Sequence, residues 1–218
     1  MRIRKKKHLD ERVKNVRNLL VIADNDILNS TEANQDKRLF DFKSIFGNER
    51  SVEIEIGCGK GGFIIEKAKR EQSVNFVAVE LLQNIIVMAA EAAVRENVKN
   101  VLFFNCGADY LPRYVPSKSV KAVYLNFSPP FNGKRYENRR LTKPELVSFY
   151  KDVLMPGGAV YQKTDDKDFF EYSMEKFREG GFIVTETVLT DSDNVQTEYE
   201  KKFRKIGLPI YSFKAQKQ

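Results

Sequence analysis

From Ser51 onward the apolar residues fall into short bursts separated by stretches with helical spacing. Bursts rich in Val, Ile, Phe and Tyr predict strands at 52–56, 76–80, 101–105, 122–126, 158–163, 182–189 and 208–213. Between them, apolar positions recurring at three and four residues predict helices at 62–70, 83–96, 143–154 and 166–179. Strands alternating with helices imply a doubly wound α/β fold, a mostly parallel seven-stranded sheet with helices on both faces. Only a short helical or turn segment separates the last two strands, so the final one is expected to insert antiparallel.

Local chemistry sets several limits. Thr142, with Glu145 three residues on and Pro144 in the first turn, reads as a capping box. Met155-Pro156-Gly157-Gly158 reads as the stop of the same helix. Upstream, residues 13–50 are mixed: 24–36 is rich in Asp, Asn, Ser, Thr and Glu and reads as loop, and RLFDFKSIFG as an irregular or short helical lead-in.

Composition makes this a globular chain of one domain: 218 residues, 42% hydrophobic, 31% charged and 11% aromatic. No window has the roughly 18 apolar residues of a membrane helix, and the charged start lacks the apolar stretch of a signal peptide, so a cytoplasmic location is expected. Cys58 and Cys106 have no CxxC spacing, which argues against a disulfide framework and against a zinc site. Net charge is +7, and residues 1–20 carry eight basic against two acidic residues. The expected organisation is a basic arm over 1–20 and a single domain over 21–218. A short basic arm on a near-neutral body suits contact with nucleic-acid phosphates. His8, the one histidine, lies in that arm and reads as a phosphate contact or a solvated residue.

The strongest motif is Glu53-Ile54-Glu55-Ile56-Gly57-Cys58-Gly59-Lys60-Gly61-Gly62-Phe63, a β-branched strand running into glycines and then a helix. Glycines there let backbone amides approach a nucleotide-type cofactor closely. Gly57, Gly59 and Gly62 also satisfy G-x-G-x-x-G, so the triplet alone does not separate a dinucleotide from S-adenosylmethionine. Two details favour the latter. Glu55 would face a pyrophosphate badly but suits the ammonium and sulfonium end, and the loop carries an extra glycine, Gly61. Glu80 ends the next strand, where an acid can accept from both ribose hydroxyls.

The segment from Tyr124 to Arg140 follows the strand 122–126, and the carboxyl ends of strands border the reacting centre in open α/β sheets. Its aromatics interleave with Lys134, Arg135, Arg139 and Arg140, a mixture suited to base stacking beside phosphate contacts. Lys163-Thr164-Asp165-Asp166 and Thr197-Glu198-Tyr199-Glu200 each read, taken alone, as ordinary helix starts.

Read in order, EIGCGKGGF, VAVE, YLNFSPPFNGKRYENRRLT, MPGGAVYQKTDD and TEYEKKF resemble the bacterial tRNA (guanine-N7)-methyltransferase family over essentially the whole chain. The resemblance implies a Rossmann-like S-adenosylmethionine-dependent methyltransferase fold and methylation of a guanine in the tRNA variable loop, by a monomer or homodimer without a metal. It assigns Glu55, Gly57, Gly59, Gly61, Glu80, Gly107 and Asn126 to the cofactor. To the substrate it assigns Gly133, Lys134, Arg135, Asp165, Thr197, Glu198, Tyr199 and Glu200, with catalytic positions at Pro129 and Asp165. This chain departs from the family at two acids, which fall on Pro129 and Gly107, and its Phe131, Gly133 and Tyr136 stand where Trp, Lys and His are usual. Guanine N7 has a free lone pair and needs no general base, so a missing carboxylate weakens positioning without removing the reaction. Two outcomes follow: an active transferase, or a degenerate relative that binds tRNA and cofactor without methylating. A nicotinamide-dependent oxidoreductase rests on the glycine triplet alone.

Overall fold

The computed structural model describes residues 8–23, 38–187 and 195–218. In chain order the elements are α1 (Leu9–Asn15), β1 (Leu20–Ile22), α2 (Phe42–Phe46), β2 (Val52–Ile56), α3 (Gly62–Arg70), β3 (Asn75–Glu80), α4 (Gln83–Arg95), β4 (Val101–Asn105), β5 (Val120–Asn126), α5 (Pro144–Val153), β6 (Leu154–Thr164), α6 (Lys167–Glu179), β7 (Ile183–Glu186), α7 (Glu198–Lys205) and β8 (Tyr211–Gln216). Two 3₁₀ turns, Ala108–Arg113 and Lys134–Arg139, flank β5. The sheet order is β1-β4-β3-β2-β5-β6-β8-β7; the first six strands run parallel, and β8 inserts antiparallel between β6 and β7.

Both faces of the sheet are covered, which is why its central strands read as continuous apolar runs. Ile54 and Ile56 of β2 face a core built with Tyr150 of α5, Phe177 of α6 and Phe213 of β8. The opposite face packs Phe76 and Phe103 against Ile64 and Ala68 of α3 and Ala89, Ala90 and Ala93 of α4. Those small residues let α4 lie close to the glycine turn. Alternation along β2 leaves Glu53 and Glu55 on this second face, both buried.

Among the described residues the sheet has eight strands, one more than the periodicity predicts. The extra one, β1, is three residues long with one buried position, too short to show a period. From Leu9 the basic segment is folded: Leu9 and Val16 are buried, and Arg12 forks onto Glu91 of α4 at 2.7 and 2.6 Å. Among the described residues no helix is long and apolar enough to cross a membrane, and no group of three or more His, Cys, Asp or Glu is arranged so that it could hold a metal ion.

Four local readings are corrected. The capping box does not form: Lys143, held extended by the following proline, is the N-cap of α5, and the buried Thr142 hydroxyl meets Ser173 at 2.9 Å. The Met155–Gly158 segment does follow the end of the helix, which stops at Val153, but the strand expected from 158 begins earlier. The chain enters β6 at once, and its register with β5 slips between Leu154 and Ala159, which makes room for Gly157 at φ 76°. The last strand starts at Tyr211, because Gly207 and Leu208 close α7 through bonds to Arg204 and Phe203 carbonyls. The predicted strand at 182–189 shortens to β7, its last two residues lying outside the described ones.

Candidate functional site

The site lies at the carboxyl edge of β2, β3, β5 and β6. The β2–α3 turn is fastened to β3, with the Gly57 and Cys58 amides donating to the Val79 carbonyl at 2.8 and 3.0 Å. Gly57 and Gly59 take left-handed φ of 81° and 55°, and a Cβ on either would meet nothing within 4 Å, so the space above the turn is open. Gly61 serves a different end. At φ 83° its Cβ would fall 2.9 Å from that of Ala89, so packing of α3 on α4 requires this glycine.

Two carboxylates face the turn. Glu80 accepts from the Gly59 amide at 3.2 Å and the Leu82 amide at 2.9 Å, which fixes it at the end of β3. Glu55 is 2% exposed; its Oε1 accepts from Asn126 Nδ2 at 2.9 Å, while Oε2 is buried without a hydrogen-bond partner. Burial lifts its carboxyl to about 8, against the downward pull of Asn126 and of the Lys163 charge. A buried acceptor left unpaired is costly, and a cationic donor would relieve it. Glu53, the other buried acid of β2, is already matched by the Tyr124 hydroxyl at 2.7 Å and by Lys67 at 3.6 Å. Cys58 lies beneath the turn, its thiol pushed well up by burial and by the two acids.

Gly107 follows β4, where a Cβ would sit between the Tyr110 ring at 3.3 Å and exposed Leu81 at 3.6 Å. The neighbouring polar groups are committed elsewhere. Asn105 donates to the Glu80 and Leu81 carbonyls, and Asp109 pairs with Lys143.

After β5 the chain turns sharply through Phe127 and Phe131, both at positive φ (50° and 45°), an uncommon conformation for aromatic residues. Arg140 holds this loop: it donates to the Pro130 carbonyl at 2.8 Å and to that of Phe131 at 3.3 Å, and its guanidinium stacks on Tyr172 at 4.1 Å. Pro129 is exposed at the apex. Gly133, Lys134 and Arg135 lie beyond it on the exposed 3₁₀ segment, and Arg139 sits over the Phe131 ring at 5.0 Å.

The two short motifs divide between fold and surface. Asp166 caps α6 by accepting from the Phe169 amide at 2.8 Å, leaving Asp165 exposed at the end of β6. Thr197 caps α7, accepting from the Glu200 amide at 2.9 Å. Glu200 is fully buried and engaged on both oxygens, by Lys163 at 3.0 Å and Arg204 at 3.0 Å. Glu198 and Tyr199 remain exposed, with the Tyr199 ring stacked near Phe127 at 6.2 Å. Thus Glu55, Gly57, Gly59, Glu80 and Asn126 come together, and Asp165, Pro129 and Tyr199 sit on elements bordering the same edge, while Thr197 and Glu200 are taken up by the fold.

Two residues of this arrangement escape sequence reasoning. Lys163 is drawn in by register, since it pairs with Asn126 across β5 and β6. Arg140 reads as one basic residue among several until its bonds to the loop carbonyls are seen.

A family model described as "Putative methyltransferase" matches residues 49–213. A tRNA (guanine-N(7)-)-methyltransferase of Bacillus subtilis is 39% identical over 175 residues, 78% of this chain and 82% of that protein. Another of the same description from Bacillus licheniformis is 40% identical over 178 residues, covering 79% and 84%. Among solved structures, the 16S rRNA methyltransferase KamB superposes with a TM-score of 0.62 at 14% identity, covering 84% of this chain and 95% of that one, a likeness of fold. A match spanning the glycine turn, the β5 loop and the segment through α7 leaves one assignment: this chain belongs to the tRNA (guanine-N7)-methyltransferase family.

Proposed function

We propose that the protein transfers a methyl group from S-adenosylmethionine to N7 of a guanine in tRNA. The observation that carries this reading is the unpaired, buried Oε2 of Glu55 beside a glycine turn with open space above it. The donor set fits the group. An ammonium would satisfy Glu55, Glu80 has the position for ribose hydroxyls, and Leu81 beside Gly107 offers an apolar notch for a purine. When bound, the cofactor supplies an electrophilic methyl group on a sulfonium.

The protein's own part is positional. Asn126 fixes the Glu55 carboxylate, and Arg140 fixes the loop that follows Asn126, so cofactor and substrate edges share one rigid frame. Guanine N7 attacks through its lone pair, and no residue has to remove a proton first. The purine becomes cationic as it is methylated, and Asp165, exposed at the β6 end, would balance that charge. Pro129 stands where the family carries an acid, a loss worth about 3–4 kcal/mol if that acid acts like one oxyanion-hole donor. The basic residues of the first twenty positions, apart from Arg12, which is held by Glu91, would serve tRNA phosphates.

The test is incorporation of labelled methyl groups into unmodified tRNA, followed by strand cleavage at N7-methylguanine. Cofactor binding without incorporation into any tRNA would leave the non-catalytic reading, which the shared transferase names of the relatives disfavour. Pro129→Asp should raise the rate. Tight binding of NAD in place of S-adenosylhomocysteine, measured by calorimetry, would return the chain to the dinucleotide alternative.

A further inference from the structure

We infer that Lys163 is a positioning residue of the cofactor site: held in place by Glu200 of α7, it lends its cation to the Glu55 carboxylate, the group that would take the cofactor ammonium. The inference rests on the S-adenosylmethionine reading and goes beyond it, because it gives a part in binding to a residue that acts through another side chain.

Side chains two residues apart along a strand share a face, and paired residues of neighbouring strands lie side by side. Glu55 pairs with Tyr124, Tyr124 with Tyr161 and Asn126 with Lys163, so these five residues of β2, β5 and β6 stand on one face of the sheet. Asn126 Nδ2 on Glu55 Oε1 at 2.9 Å bridges the first two strands, and Lys163 stands beside Asn126 on the third. Lys163 is only 8% exposed. Its Nζ donates to Glu200 Oε2 at 3.0 Å and to the Val195 carbonyl at 3.3 Å, and it lies 5.7 Å from the centre of the Phe63 ring of α3. Strand, helix and the segment before α7 thus converge on one buried ammonium.

Anchoring α7 does not by itself call for this lysine. Glu200 Oε1 is already paired with Arg204 of its own helix at 3.0 Å, and burying a second cation there is costly where apolar packing would serve as well. What the cation adds is a field at Glu55. The charged groups acting on that carboxyl are Glu80 of β3, which raises it, and Lys163, which lowers it. Cys58 beneath the turn is held as a thiol, and Lys67 of α3 is engaged by Glu53 and Glu71. With burial keeping the Glu55 carboxyl at about 8, Lys163 keeps its proton removable near neutral pH. The lysine needs support in turn. Burial and Arg204 push its ammonium below the usual lysine range, and Glu200 at its Nζ and the Glu55 charge pull it back.

The experiment reads the Glu55 carboxyl directly, by ¹³C NMR of the free protein labelled in its glutamate side chains, the resonance being assigned by its absence in Glu55→Gln. Its midpoint, about 8 in the wild type, should move up by about one on the pH scale in Lys163→Met, the low end of what a neighbouring charge does to a carboxylate. Lys163→Arg, which keeps the charge, should return it to the wild-type value. Calorimetry with S-adenosylhomocysteine at pH 8 should follow: about 0.5 proton released by the wild type and Lys163→Arg, and about 0.9 by Lys163→Met. If Lys163→Met does not fold, Lys163→Gln, which can keep a bond to Glu200 without the charge, carries the same expectation. A Glu55 midpoint that stays in place when the charge is removed would overturn the inference, whatever happens to stability. So would a midpoint in Lys163→Arg as high as in Lys163→Met. The NMR arm uses no ligand, so failure of S-adenosylhomocysteine to bind would refute the proposed cofactor while the link between Lys163 and Glu55 is decided separately.

Discussion

Cofactor binding at pH 7 should release close to one proton, and Glu55 should be its source. Burial holds that carboxyl at about 8 in the free protein, so at pH 7, one unit lower, about nine in ten molecules carry the proton. A cationic ammonium at the unpaired Oε2 favours the ionised form and expels it. The release should be ~0.9 proton at pH 7 and ~0.1 at pH 9, with affinity rising as pH approaches 8 and levelling above it. Calorimetry with S-adenosylhomocysteine, repeated in buffers of different ionisation enthalpy, gives the number directly. Glu55→Gln should abolish the buffer dependence and weaken binding by ~10- to ~150-fold, the worth of a hydrogen bond to a charged group. A wild-type enthalpy that does not depend on buffer, or a dependence that persists in Glu55→Gln, refutes Glu55 as the source. The same group gives a stability signature. Between its usual 4.5 and about 8 the folded state holds a proton that the unfolded state has lost, so the free protein should lose stability as pH rises through that window. Glu55→Gln should flatten this dependence in urea titrations.

Gly61→Ala should cost about 1–3 kcal/mol, because its Cβ would press on Ala89 and Ile65 at a left-handed φ; a thermal melt would show a midpoint lower by about 2–4 °C per kcal/mol. Gly57→Ala meets no neighbour, so there the larger effect should fall on cofactor affinity, read by the same calorimetry. Arg140→Lys loses the planar fork that spans two loop carbonyls, and kcat/KM for tRNA should drop at least about tenfold with cofactor affinity retained; a wild-type value would mean the loop holds itself. Both thiols should resist a disulfide reagent at pH 8 in the folded protein and react in denaturant, since burial shields them and raises Cys106 to about 12 and Cys58 above its usual range.

The doubly wound architecture, the antiparallel closing strand and the glycine turn after β2 were legible in the sequence because each rests on a local signal. Apolar bursts and helical periods repeat within a few residues, and the β2 strand running into Gly57 and Gly59 declares its turn through backbone conformation alone. Glu80 was legible for the same reason, standing at the end of a strand whose limits the pattern fixes to within a residue.

Tertiary structure decided what depends on neighbours distant in the chain. Thr142 has a good capping sequence, yet its hydroxyl went to Ser173, because a proline at the first helical position moved the cap one residue on. Glu200 and Asp165 occur in equally good motifs, and only packing of α7 onto β6 buried the first against Lys163 and left the second in solvent. The state of Glu55 belongs to the fold as well. Its position two residues before a glycine can be read from the chain, whereas its unpaired oxygen and raised pKa arise because β5 supplies one donor, Asn126, where the buried carboxylate can accept more. Local sequence fixes which way a side chain points; the dielectric around it and the partners it meets are set by the elements that close over it.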